Sequence, residues 1–137
     1  MTPEQIELVR GTWRGIVPVR DTFAELFYGK LFSLDPALRP LFKGDLVEQG
    51  RNLAAMVSIL VRNLASPEAV QRAMRELGGR HHSYGVREQH YETVGVALLW
   101  ALDMSHGEPL GPEARAAWQA AYALIAGAMQ EGARQPL

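Results

Sequence analysis

Asp35-Pro36-Ala37-Leu38-Arg39-Pro40-Leu41-Phe42 and Arg80-His81-His82-Ser83-Tyr84-Gly85-Val86 are the two stretches whose reading decides the fold of this chain. Asp35-Pro36 opens a short, turn-like helix that ends near Phe42, because an Asp cap followed by a Pro whose φ is fixed starts a helix sharply. In the second stretch, Leu77, His81 and Tyr84 recur at intervals of four and three and so share a helix face. His82 falls on another face with Gly78 and Gly85, so the spacing predicts that His81 points with the apolar stripe and His82 outward. Between the two stretches Asp45 caps one long amphipathic helix, which runs to about Leu64 through Leu46, Leu53, Val57, Leu60 and Val61.

The rest of the chain reads in the same period. Thr2-Pro3-Glu4-Gln5 is a helix start, with Thr2 as cap, Pro3 in the first turn and Gln5 completing a capping box. Ile6, Val9, Trp13 and Ile16 line that helix, and Gly15 and Pro18 predict a break. Arg20 to Ser33 reads as a second helix with Phe23, Phe27 and Leu31 on one stripe. Ser66-Pro67-Glu68 restarts a helix that Gly78-Gly79 is expected to weaken. A strongly apolar helix follows from His90 to Met104, then a loop over Gly107 to Gly111, then a helix from Pro112 through Trp118, Tyr122, Ile125 and Met129. Alternation of period two is absent. The expected fold is all-α, with about six main helices and one or two short ones. The pattern alone fits compact helical bundles and globin-like folds alike.

Bulk properties narrow the chemistry. The 137 residues are enough for one domain with one core, expected to span 1–137 with no reductase or output domain. A formal net charge of −1 gives no electrostatic reason for a nucleic-acid partner. The chain has no Cys, which excludes disulfides, iron–sulfur clusters and thiolate-ligated zinc or haem. Neither a signal pattern nor a membrane-length apolar run is present, so the expectation is a soluble, cytoplasmic protein with no membrane contact, a monomer or weak homo-oligomer.

A Pro six residues before a Phe, a long amphipathic helix, and a His about forty residues past the Phe make a specific constellation in Pro36, Phe42 and His81. It resembles the single-domain bacterial globins related to the haem domain of flavohaemoglobins, from the first helix to Tyr122 and most densely over 27–42 and 80–95. The resemblance implies the globin fold with haem b (heme b, iron protoporphyrin IX) as cofactor. Arg80-His81-His82-Ser83-Tyr84-Gly85-Val86 is similar to the family's basic-His-x-x-x-Gly-Val arrangement, with His81 the proximal iron ligand. His82 takes that role if the register differs by one. Arg80, Val86, Tyr91 and Val94 belong to the implied haem surroundings, and Phe42 to the ring packed against the porphyrin.

Phe27-Tyr28-Gly29-Lys30-Leu31-Phe32 is similar to the family's second helix, which places Tyr28 facing the bound ligand. A phenol there donates to O2 in a dry pocket, worth about 1.5–3 kcal/mol. Glu48-Gln49-Gly50-Arg51-Asn52-Leu53 resembles the start of the distal helix, with Gln49 where many animal globins carry a His and Leu53 above the iron. No His lies between Tyr28 and Leu53, which excludes a second axial His from that helix. Arg51, Asn52 and Arg80 are candidates for the haem propionates.

The family's proximal His is supported by a Tyr and a Glu. Tyr91 supplies the first, but the Glu position appears here as Ala133, with Glu131 two residues out of register. Trp118, Tyr122, Met56 and Met129 read as core packing. The implied function is reversible binding of O2, NO and CO through Tyr28 and Gln49, serving NO dioxygenation with a separate reductase. Two alternatives stay open. One is a store, carrier or sensor of O2 or sulfide without catalysis, the other a haem-free globin-like interaction module.

Overall fold

The computed structural model describes residues 1–42, 44–83 and 87–134, except the side chains of 81–83. Six α-helices carry the chain: α1 (Pro3–Ile16), α2 (Arg20–Leu34), α3 (Leu46–Arg62), α4 (Pro67–Ser83), α5 (Glu88–Ser105) and α6 (Pro112–Arg134). Two 3-10 turns join them, Val17–Val19 after α1 and Pro36–Leu41 after α2. No strand occurs among the described residues.

Local chemistry sets the starts. The Thr2 hydroxyl accepts from Gln5 N–H while the Gln5 side chain accepts from Thr2 N–H, closing the box that opens α1. The Asp35 carboxylate accepts from Ala37 N–H at 3.1 Å and opens the Pro36–Leu41 turn. The Asp45 carboxylate accepts from Val47 N–H at 2.9 Å and opens α3. At the far end of α3, Arg10 of α1 donates to the carbonyls of Val61 and Arg62, which have no partners within the helix.

Two apolar clusters form the interior. The larger centres on Val9, Ile16, Phe23, Leu31 and Leu102, drawn from α1, α2 and α5. The smaller joins Leu60, Val70, Met74, Tyr91 and Met129, drawn from α3, α4, α5 and α6. α4 packs most extensively on α6, and α2 on α5.

Gly78 and Gly79 lie inside α4, which continues to Ser83. Gly78 also has a role in packing that the sequence does not reveal. Its bare α-carbon lets the backbones of α4 and α6 touch: a Cβ on Gly78 would sit 1.9 Å from the Met129 carbonyl oxygen. The contact is reciprocal, since a Cβ on Gly132 would sit 1.8 Å from the Arg75 carbonyl oxygen. This interlock fixes α4, the helix that carries His81 in its last turn.

Candidate functional site

α2 and α3 cross at a second close approach. A Cβ on Gly50 would lie 2.9 Å from the Ala24 Cβ and 4.0 Å from Tyr28 Cε2, so only a bare α-carbon lets the helices meet there. Tyr28, one turn past Ala24, is thereby brought against the start of α3. Its hydroxyl donates to the Gln49 backbone carbonyl at 3.4 Å, well beyond the usual 2.7–2.8 Å of a good O–H···O bond. Ring contacts fix the Tyr28 ring, edge-on to Phe27 at 5.2 Å and to Phe42 at 5.4 Å, and stacked on Phe32 at 6.0 Å. Phe42 itself meets Phe32 edge-on at 5.3 Å. Burial pushes the Tyr28 hydroxyl up to about 12, so at neutral pH it remains a donor.

Phe27, Tyr28, Phe42 and Gln49 line a cavity of about 360 Å³. The structure brings Tyr28, Phe42, Gln49, Leu53, Tyr91 and Val94 together on it. Asn52 also lies on its wall, whereas Arg51 and Arg80 are exposed and do not. The side chain of His81 and all of Val86 lie outside the described residues, as does the side chain of His82. Met56 and Met129, expected as core filler, line the cavity, joined by Met74 and Leu77 of α4. Their helical spacing marks a buried face but does not say whether that face meets other side chains or a void.

The α5 wall rests on a third close approach, at Gly95. A Cβ on Gly95 would lie 2.8 Å from Tyr122 Cε2, so the Tyr122 ring lies directly on α5. From there its hydroxyl donates to the Tyr91 carbonyl at 2.5 Å, tying α6 to the first turn of α5. Tyr122, read from sequence as packing alone, thus sets the position of Tyr91. The Tyr91 hydroxyl is buried and has no hydrogen-bond partner among the described residues. Glu131 does not supply one: it pairs with Arg75 at 3.4 Å on the outer side of the α4–α6 contact. Burial raises the pKa of Tyr91, and burial together with the neighbouring Tyr91 raises that of Tyr122.

His90 is a wall residue that the sequence reading passed over. Its Nδ1 accepts from Arg87 N–H at 2.9 Å, completing the start of α5. The three-residue spacing from Arg87 to His90, that of a capping box, was the available signal.

A cavity of this size falls in the range of cofactor pockets, about 300–1,000 Å³. Its wall is apolar apart from a few hydroxyl, amide and imidazole groups, and it includes Tyr91, whose buried phenol has no hydrogen-bond partner among the described residues. That donor set suits a large, flat, mostly apolar ring with a polar edge, and porphyrin is such a group. The fold and the pocket therefore define a helical haem-binding domain.

Comparison with known proteins makes this specific. The globin family model matches residues 25–129, and the chain belongs to the globin family. It is 32% identical to a flavohemoprotein of Deinococcus radiodurans over 94% of this chain and 33% of that protein, so it spans about a third of that relative's length. It is 26% identical to a neuroglobin of Dissostichus mawsoni, covering 92% of this chain and 88% of the neuroglobin. Among solved structures, a bacterial globin from Campylobacter jejuni superposes with a TM-score of 0.85 at 24% identity, covering 98% of this chain and 97% of that one. Aplysia limacina myoglobin superposes with a TM-score of 0.82 at 17% identity, covering 95% and 97%. Both structures establish the fold. Haem is the cofactor of this family and of this chain, and small gases are its ligands. No described helix is long and apolar enough to cross a membrane.

Proposed function

We propose that this globin binds O2 reversibly and with high affinity through Tyr28 and Gln49, with His81 as proximal ligand, and that it serves NO dioxygenation. Haem, when bound, supplies a ferrous iron with one open position for a diatomic gas. The overall reaction, NO + O2 + e⁻ → NO3⁻, takes one electron per turnover, which a reductase outside these 137 residues provides.

The observation that carries this reading is the Tyr28 hydroxyl, buried on the wall of an apolar cavity and held by a single long bond. Its 3.4 Å bond to the Gln49 carbonyl is weak enough to be exchanged for a better acceptor at small cost. In a site with little water, that exchange favours a ligand carrying partial negative charge. Gln49, at the same crossing, supplies a second donor through its side-chain amide, and Leu53 one turn on keeps the ligand side apolar. Phe42 packs against the porphyrin.

A second reading, an O2 store or carrier without turnover, draws support from the proximal side. No carboxylate among the described residues meets the Tyr91 hydroxyl, because Glu131 is engaged by Arg75. A His81 supported by Tyr91 alone is less basic than one supported by a Tyr–Glu pair, which favours reversible binding over O–O cleavage.

The test starts with visible spectra of ferric, dithionite-reduced and CO-bound protein. A Soret band with a single broad deoxy peak is expected, and no Soret band even after added haem sinks the proposal. Stopped-flow O2 dissociation on Tyr28→Phe follows. The rate is expected to rise about ten- to a hundredfold, the equivalent of one hydrogen bond to a charged acceptor. Sustained nitrate production with NO, NADH and a reductase then separates dioxygenase from carrier.

A further inference from the structure

We infer that His90 anchors the haem through one of its carboxylates. The inference rests on the haem assignment above but not on O2 chemistry.

The two ring nitrogens of His90 are not equivalent. Nδ1 accepts a hydrogen bond from Arg87 N–H at 2.9 Å, so it carries no proton. In the neutral ring the proton therefore sits on Nε2, across the ring from the cap. The ring is half-buried and forms part of the cavity wall. Among the described residues nothing accepts from Nε2. The hydroxyls of the wall point to different duties. Tyr28 donates to the Gln49 carbonyl, and Tyr122 to the Tyr91 carbonyl. The Tyr91 hydroxyl is buried, where a charged carboxylate is costly. His90 combines a defined N–H, a tautomer fixed by the backbone, and partial exposure, which lets a carboxylate stay partly hydrated. Iron protoporphyrin carries two carboxylates on one edge, and a fixed N–H donor on the wall is the complementary group. Arg80, proposed for this duty from sequence, is exposed and off the wall.

The two nitrogens allow a crossed test. Asn reproduces the acceptor at the Nδ1 position and loses the Nε2 donor. Gln places an amide N–H where Nε2 was. Haem loss from the holoprotein to excess apomyoglobin is the readout, followed by the Soret band. If His90 holds a carboxylate, His90→Asn loses haem about ten- to a hundredfold faster than wild type, and His90→Gln stays within a few-fold of it. If His90 only caps α5, the order reverses, with Asn near wild type and Gln faster, and the inference is overturned. Equal rates in all three proteins overturn it as well.

A second measurement changes the cofactor instead of the chain. Loaded with the dimethyl ester of iron protoporphyrin IX, wild type and His90→Asn should lose the group at the same rate. A difference that persists with the ester refutes the carboxylate contact. A missing Soret band on ordinary loading refutes the haem assignment itself, which keeps the two failures apart.

Discussion

Tyr28 shows how much one side chain's surroundings decide. Its ring is fixed by Phe27, Phe32 and Phe42, and its hydroxyl is buried, so its ionisation is pushed up to about 12. Tyr91 and Tyr122 are raised in the same direction by burial. For each, the folded state favours the protonated phenol over the unfolded chain, where Tyr ionises near about 10. The stability this contributes is therefore full below about pH 10 and lost as pH rises through the folded values. Tyrosinate absorbance should show Tyr28 ionising near pH 12 in the native protein, and urea midpoints should fall across that alkaline window. Titration of Tyr28 at its free value would mean that water reaches the hydroxyl. His81 and His82 give a second residue-scale test. His81→Ala is expected to abolish stable haem retention on gel filtration and His82→Ala to leave it intact; the reverse result shifts the helical register by one.

Helix starts were legible because they are local. Thr2, Asp35, Asp45 and Pro67 each act within three residues of themselves, and each opens an element where the sequence reading puts it. The crossings were not legible. Gly50, Gly78, Gly95 and Gly132 look in sequence like weak points in helices, and what they meet lies on another element. For the same reason Met56 and Met129 could be read as apolar but not as cavity wall, and His90 as polar but not as facing the cavity. Paired substitutions separate the two kinds of glycine. Gly11, exposed in α1 with nothing within 4 Å of a new Cβ, should gain about 0.5–1 kcal/mol as Ala, by helix propensity alone. Gly78→Ala should lose stability at or beyond the upper end of the about 1–3 kcal/mol typical of overpacking, because the atom it strikes is backbone. Thermal midpoints of the two variants should move in opposite directions.

At the scale of the whole molecule, the cavity of about 360 Å³ lies between the two apolar clusters, with α3 and α5 contributing to both. A group that fills it binds the folded chain and not the unfolded one, so haem should stabilise by mass action, about 4 kcal/mol at a thousand times its dissociation constant. Melts followed by far-UV dichroism should show a higher midpoint for holoprotein than for protein stripped of haem. The difference should vanish in His81→Ala. An equal midpoint in wild type would mean that the helices pack as well without the cofactor as with it.

The two close approaches of α4 and α6, at Gly78 against Met129 and at Gly132 against Arg75, have a genetic consequence. Each glycine faces the other helix's backbone, so once one has gained a methyl group and pushed α4 away from α6, the second has room for its own. Two single changes that are each harmful then combine into a double change milder than their sum. A lineage can leave this interlock only through a deleterious intermediate. Drift at either position should therefore be slow until it occurs, and paired when it does.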